Sequence, residues 1–218
     1  MQEGRFLIAR VEISSRHRFR LLGLLPFTFF LAQAVHYWKL PDGELGHMLW
    51  MCNIGNLILG LGLIIERASL IRVAALWMIP GLVVWFIYVV AAWGVFFSST
   101  LAHVGGFIVG MIALRRVGMD QLSWLYAFLW YLAMQLLSKL FTRADLNVNV
   151  AHSIDPAWRD TFASYWKFWL VLSLGVAAVL WLLSLLLRLA WPDWKVVAGR
   201  SPGTGEMASE AKGAIRGA

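Results

Sequence analysis

Residues 47–57 read HMLWMCNIGNL and place His47, the chain's single cysteine Cys52, and the carboxamides Asn53 and Asn56 in an otherwise apolar run. A cysteine acts as a nucleophile through its thiolate, so it needs a base or a positive charge within reach. His47 lies five residues before Cys52, about 140° around a helix, so the two would not share a face. A base from another segment fits better. His103 opens the stretch HVGGFIVG, in which Gly106 and Gly110 have the small-xxx-small spacing that lets membrane helices approach closely. Gly55, Gly60 and Gly62 do the same after Cys52. Cys52 as nucleophile with His103 as its base is therefore the first chemistry to consider, with His47 or His152 as the reserve base. Farther on, LNVNVAH supplies Asn147, Asn149 and His152 on a polar segment, where they would hold a headgroup or cap loop backbone. Each residue also has a plainer reading. A lone cysteine in a membrane helix is a small hydrophobe, a histidine near a span end is an interfacial residue, and buried asparagines join helices.

The elements that must position these groups are membrane spans. Of 218 residues, 60% are hydrophobic and 14% charged, against about a quarter charged in soluble domains. Thirteen tryptophans suit a chain with two membrane interfaces. Stretches of roughly 20 apolar residues predict spans at about 21–38, 47–65, 73–94, 98–114, 121–141 and 166–190. Pro26 and Pro80 lie inside two of them and predict kinks. One cysteine forms no internal disulfide, and the basic start carries no signal-peptide pattern. The expected fold is an all-α polytopic membrane helix bundle with about six transmembrane helices, both termini cytoplasmic, and a disordered C-terminal tail. Its expected divisions are a basic segment at 1–20, the spans at 21–190 and the tail at 191–218.

Orientation follows from the cations. Six spans put both termini on one side, and that side takes 14 of the 19 Lys and Arg residues, which marks it as cytoplasmic. The whole net charge of +7 falls there, where it favours anionic lipid rather than nucleic acid. The expected setting is a bacterial inner membrane. His36, His47, Cys52, His103 and His152 then share the outer end of the bundle. As a helix from 47, the second span would put Cys52 roughly 8 Å below His47. In the outer loop, Asp155-Pro156 predicts the cap and first residue of a short interfacial helix, with Trp158, Phe162 and Trp166 as its aromatic stripe.

The order of HMLWMCNIGN, SSTLAHVGGFIVG and LNVNVAH resembles the YwaF-like integral membrane proteins over roughly residues 21–190. In that family a His/Cys stretch opens one helix, a histidine opens a later one, and an Asn-x-Asn segment precedes the last span. The family sets its histidine two residues before the cysteine; here Trp50 holds that place and His47 lies upstream. Its eukaryotic relatives are proposed to move acyl chains between lipids. The resemblance therefore implies a lipid-modifying acyltransferase near the outer leaflet, with membrane lipids as partners. Cys52 would be its nucleophile, His103 and His47 its bases, and Asn53, Asn56, Asn147, Asn149 and His152 its substrate contacts. Two other readings use the same residues. Imidazoles on facing spans can ligate a metal or haem, although no cofactor is legible in the sequence. A non-enzymatic membrane subunit or scaffold would use them for packing alone. Protein partners are not legible either.

Overall fold

A computed structural model describes residues 16–40, 44–92 and 96–193. Most of the basic segment at 1–20 and nearly all of the tail at 191–218 lie outside the described residues. Six long helices account for most of the rest: α1 (Arg16–Trp38), α2 (Met51–Ile64), α3 (Ala68–Ala92), α4 (Phe97–Val117), α5 (Ser123–Phe141) and α6 (Tyr165–Ala190). Among the described residues there is no strand beyond one isolated bridge, Met119 to Pro192. Helices α1, α3, α4 and α6 are long and apolar enough to cross a membrane. At 19 residues α5 has the length, but its apolar run is diluted by Gln135, Ser138 and Lys139. At 14 residues α2 reaches only about 21 Å, short of the roughly 30 Å hydrocarbon layer.

The short helix is the most enclosed. Asn53, Gly55, Asn56, Ile58, Leu59, Gly60, Gly62 and Leu63 of α2 are buried. Its glycines explain how. A Cβ on Gly60 would lie 2.6 Å from the Phe27 ring and 3.0 Å from the Gly23 carbonyl of α1, and one on Gly55 would lie 2.7 Å from Met78 of α3. Helix α3 is the common wall. Its Ile71 and Ala74 join Leu59 and Leu63 of α2 and Val109 and Ala113 of α4 in one core. On its other side Val73, Ala75 and Leu76 meet Leu114, Ala127 of α5 and Leu180 and Leu187 of α6 in a second. Past Pro80, α3 turns Val83, Val84, Phe86, Ile87 and Val90 outward, the surface expected of a lipid-facing helix.

One end of the bundle is fastened by arginines. Arg16 and Arg20 each donate to Glu66 at 2.8 Å. Glu66 has φ 56°, a left-handed residue after the end of α2, where Arg67 N–H reaches back to the Gly62 carbonyl at 2.8 Å. Burial alone would raise the Glu66 carboxyl, but the hydrogen bonds from Arg16 and Arg20 outweigh it and hold it below the usual range. Arg72 is buried and ties α3 to Asp120 and Asp193, both at 2.5 Å, and to the carbonyls of Gly118 and Val117. In the sequence Arg72 counts only as one of the 14 cations that set the orientation. That it is buried depends on two carboxylates and two carbonyls brought together by tertiary folding.

Candidate functional site

The opposite end holds Cys52 and four of the five histidines, His36, His47, His103 and His152. Trp50, with φ −56° and ψ 137°, breaks the chain between a 3-10 turn at Leu45–Leu49 and α2. His47 therefore sits on the turn and not in the helix that carries Cys52, and a helical offset between the two does not apply. Trp50 Nε1 donates to His47 Nδ1 at 3.0 Å, so the ring proton lies on Nε2, which donates to Glu44 at 3.1 Å. The His47 carbonyl accepts from Asn53 Nδ2 at 2.9 Å, and Tyr37 packs on its ring at 5.1 Å. Both nitrogens of His47 are thereby engaged.

Cys52 lies part-buried on α2, its Sγ 4.0 Å from Asn53 Oδ1. Its Cβ faces Gly81 of α3, at 4.0 Å from where a Cβ there would stand. His103 stacks on Trp85 of the same helix, centroids 5.5 Å apart and planes 16° apart. Gly81 and Trp85 are four residues apart, so Cys52 and His103 flank one stripe of α3, a turn of about 6 Å apart along its axis. His103 Nδ1 is 2.8 Å from the Ser99 carbonyl. A carbonyl only accepts, so Nδ1 carries the proton and Nε2 keeps a bare lone pair. Ser99 Oγ, which accepts from Trp85 Nε1 at 2.9 Å, also approaches Nδ1 at 3.5 Å. His103 is not a hydrogen-bond partner of the Cys52 thiol in this arrangement.

The backbone around His103 is a π-helical turn, Leu101–Gly105, a form that recurs at functional sites. Asn56 explains its stability. Its Nδ2 donates to the Ala102 carbonyl and to the Cys52 carbonyl, both at 2.9 Å, tying the widened turn of α4 to α2. The close approach requires glycine: a Cβ on Gly106 would lie 2.5 Å from Asn56 Oδ1, and one on Gly105 would meet Phe29 of α1 at 2.7 Å. The expectation that α2 and α4 approach through glycines thus holds at Asn56 and Gly106, although Gly60 and Gly62 face α1 and α3 instead.

The segment 142–164 closes this end. Asn149 accepts from Met51 N–H at 3.1 Å and donates to the Leu49 carbonyl and Ser138 Oγ, both at 2.8 Å. Its own carbonyl accepts from Gln135 at 2.6 Å. Asn147 Oδ1 accepts from the His152 and Ser153 N–H groups, each at 3.0 Å. His152 Nε2 lies 3.1 Å from Thr142 Oγ1 and 3.2 Å from the Ser138 carbonyl. Asn147, Asn149 and Val150 all have positive φ, at 42°, 53° and 58°, strained backbone held by these bonds. The predicted interfacial helix is not formed. Asp155 does cap Ala157 N–H at 2.9 Å, but the helix is a 3-10 turn, Pro156–Trp158, and α6 starts only at Tyr165. Trp158, Phe162 and Trp166 therefore share no helical face.

Sequence reasoning passed over Tyr37 and Trp85. Tyr37 lies within interaction range of Cys52, Asn53, Tyr88 and Glu44, and its only sequence signal is its place beside His36 at a span end. His36 itself packs against Phe96 at 5.1 Å. Among the described residues no three of His, Cys, Asp and Glu gather as a metal-ligand set. Long apolar helices with lipid-facing surfaces define a multi-pass membrane protein. No protein-family model matches the chain, and no curated protein or solved structure matches it.

Proposed function

We propose that the protein is a membrane-embedded acyl-transfer enzyme that carries an acyl group on Cys52 between membrane lipids. The observation that supports it is the shared stripe of α3: Cys52 lies against Gly81, and His103, held by Ser99 with Nε2 unprotonated, lies against Trp85 one turn away. His103 Nε2 takes the thiol proton and the thiolate adds to the acyl carbonyl of a lipid ester. The ester C–O bond breaks, and the departing lipid alcohol takes the proton from His103. A second lipid alcohol, deprotonated by His103, then attacks the thioester and releases the thiolate. The Tyr37 hydroxyl is the donor for the carbonyl oxygen. Asn53 and Asn56 act by position, since their Nδ2 groups serve the carbonyls of His47, Cys52 and Ala102. Asn147, Asn149, His152 and His47 build the rim at which the headgroup rests. The arginine end faces the cytoplasm of a bacterial inner membrane, which puts the chemistry near the outer leaflet.

Proteoliposomes holding a phospholipid with a labelled acyl chain and a lysophospholipid acceptor test this reading. Transfer is lost in Cys52→Ala and falls about 10²–10⁴-fold in His103→Gln, the usual contribution of a positioned acid–base group. Undiminished transfer by Cys52→Ala rules the mechanism out. A fastening role for the polar cluster is the second reading, favoured by the complete hydrogen bonding of His47 and Asn149. On that reading Cys52→Ala is silent while Asn149→Ala unfolds the rim.

A further inference from the structure

At the arginine end, a small polar notch of about 90 Å³ opens between α5 and α6, lined by Gln121, Trp124, Trp181, Ser184, Leu185 and Arg188. Its volume is that of about three waters at roughly 30 Å³ each, enough for one phosphate group and too small for a whole headgroup. Its lining is built for an oxyanion. Ser184 and Arg188 are four residues apart and share a face of α6, and Ser184 is 3% exposed. Gln121 adds an amide from the approach to α5. Trp124 and Trp181 flank it, the residue type that settles at headgroup level.

Arg188 stands apart among the described cations. Among the described residues, every Lys and Arg except Arg72 and Arg188 is exposed. Arg72 is buried against two carboxylates and two carbonyls. Arg188 is half-buried and, among the described residues, has no hydrogen bond or ion pair. A partly desolvated guanidinium is stabilised by an anion, and its planar fork matches phosphate oxygens. Its position in the last turn of α6 is favourable by dipole, but that alone does not account for the amide and hydroxyl beside it.

We infer that this notch is a binding site for the phosphate of an anionic phospholipid, with Arg188 pairing the phosphate, Ser184 and Gln121 donating to its oxygens, and the acyl chains lying along the apolar faces of α5 and α6. Leu125 of α5 and Leu182, Leu186 and Leu189 of α6 are exposed and supply apolar surface on these helices. The site is independent of the chemistry at Cys52, which lies at the other end of the bundle.

The full chain reconstituted in phosphatidylcholine vesicles, with trace spin-labelled phosphatidylglycerol or spin-labelled phosphatidylcholine, measures the selectivity through the motionally restricted fraction of the label. The wild type should prefer phosphatidylglycerol by about fivefold or more, from roughly 1 kcal/mol per basic residue near the surface. Arg188→Gln should remove that preference, Arg188→Lys should retain part of it, and Arg115→Gln, at an exposed arginine of the same end, should leave it intact. Gln121→Leu, at an exposed position that does not endanger folding, should weaken it. An unchanged preference in Arg188→Gln or in Gln121→Leu overturns the inference, as does an equal loss in Arg115→Gln. Inorganic phosphate bound by the lipid-free, detergent-solubilised protein and lost in Arg188→Gln would assign the site to free phosphate and overturn the lipid.

Discussion

Asn149 joins three elements with one side chain: the start of α2 through Met51, the 3-10 turn through Leu49, and α5 through Ser138. Removing it leaves buried backbone and hydroxyl groups without partners, at about 1–3 kcal/mol each. Asn149→Ala should therefore destabilise the protein by about 3 kcal/mol or more, read as a lower thermal unfolding midpoint in detergent, and an unchanged midpoint would show that the rim is not fastened there. The polar character of LNVNVAH is plain in the sequence, and it fits both holding a headgroup and capping backbone. Structurally Asn147 and Asn149 both cap, because each adopts the left-handed conformation that asparagine tolerates. Nothing in the sequence marks Val150 as a third such residue, since its φ of 58° is imposed by neighbours on other elements. Cys52 and His103 were legible by residue type and depth. The tautomer of His103 was not, because it depends on the Ser99 carbonyl one turn before it.

At the scale of elements, glycine decides where helices touch. Gly106→Ala places a methyl 2.5 Å from Asn56 Oδ1 and 3.0 Å from Met78 Sδ, so it should cost about 1–3 kcal/mol, the range for overpacking. Gly175 of α6 has nothing within 4 Å of a built Cβ, so Gly175→Ala should be neutral or stabilising by up to about 1 kcal/mol, from helix propensity. Thermal unfolding of the two variants side by side checks the pair, and equal effects would remove the packing account of α2 and α4. Six apolar stretches in the sequence correspond to six helices, because hydropathy reports burial in lipid or protein alike. Their ends were less legible. Helix α1 takes in Arg16 and Arg20 of the basic segment, and these arginines find Glu66 across the bundle. Helix α2 starts four residues after His47 because Trp50 leaves the helical region. The aromatic spacing of Trp158, Phe162 and Trp166 fits a helix, yet the backbone after Trp158 turns away, with Tyr165 bonded to the Ala151 carbonyl at 2.5 Å.

Across the whole molecule the two ends divide the work: arginines lock one, and the polar cluster occupies the other. Glu66 is held below the ordinary carboxyl range, so its pairing with Arg16 and Arg20 contributes fully above its unfolded value, about 4.3, and is lost as pH falls through its lower folded value. Stability should thus stay level from neutral pH to about 5 and decline below, and Glu66→Gln should be weaker at neutral pH and lose part of that acid decline. A Glu66→Gln acid limb identical to that of the wild type would show that the lock is not what titrates. Placement in the membrane is tested by a single cysteine at position 145 in a Cys52→Ser background, which should label from outside intact cells; labelling only from the cytoplasm would reverse the orientation. The most direct test of the acyl-transfer account is the intact mass of the purified protein after incubation with phospholipid vesicles. It should carry one added acyl mass on the Cys52 peptide, removed by neutral hydroxylamine, absent in Cys52→Ala and much reduced in His103→Gln. A Cys52 that stays unmodified while lipid is present in excess would contradict it.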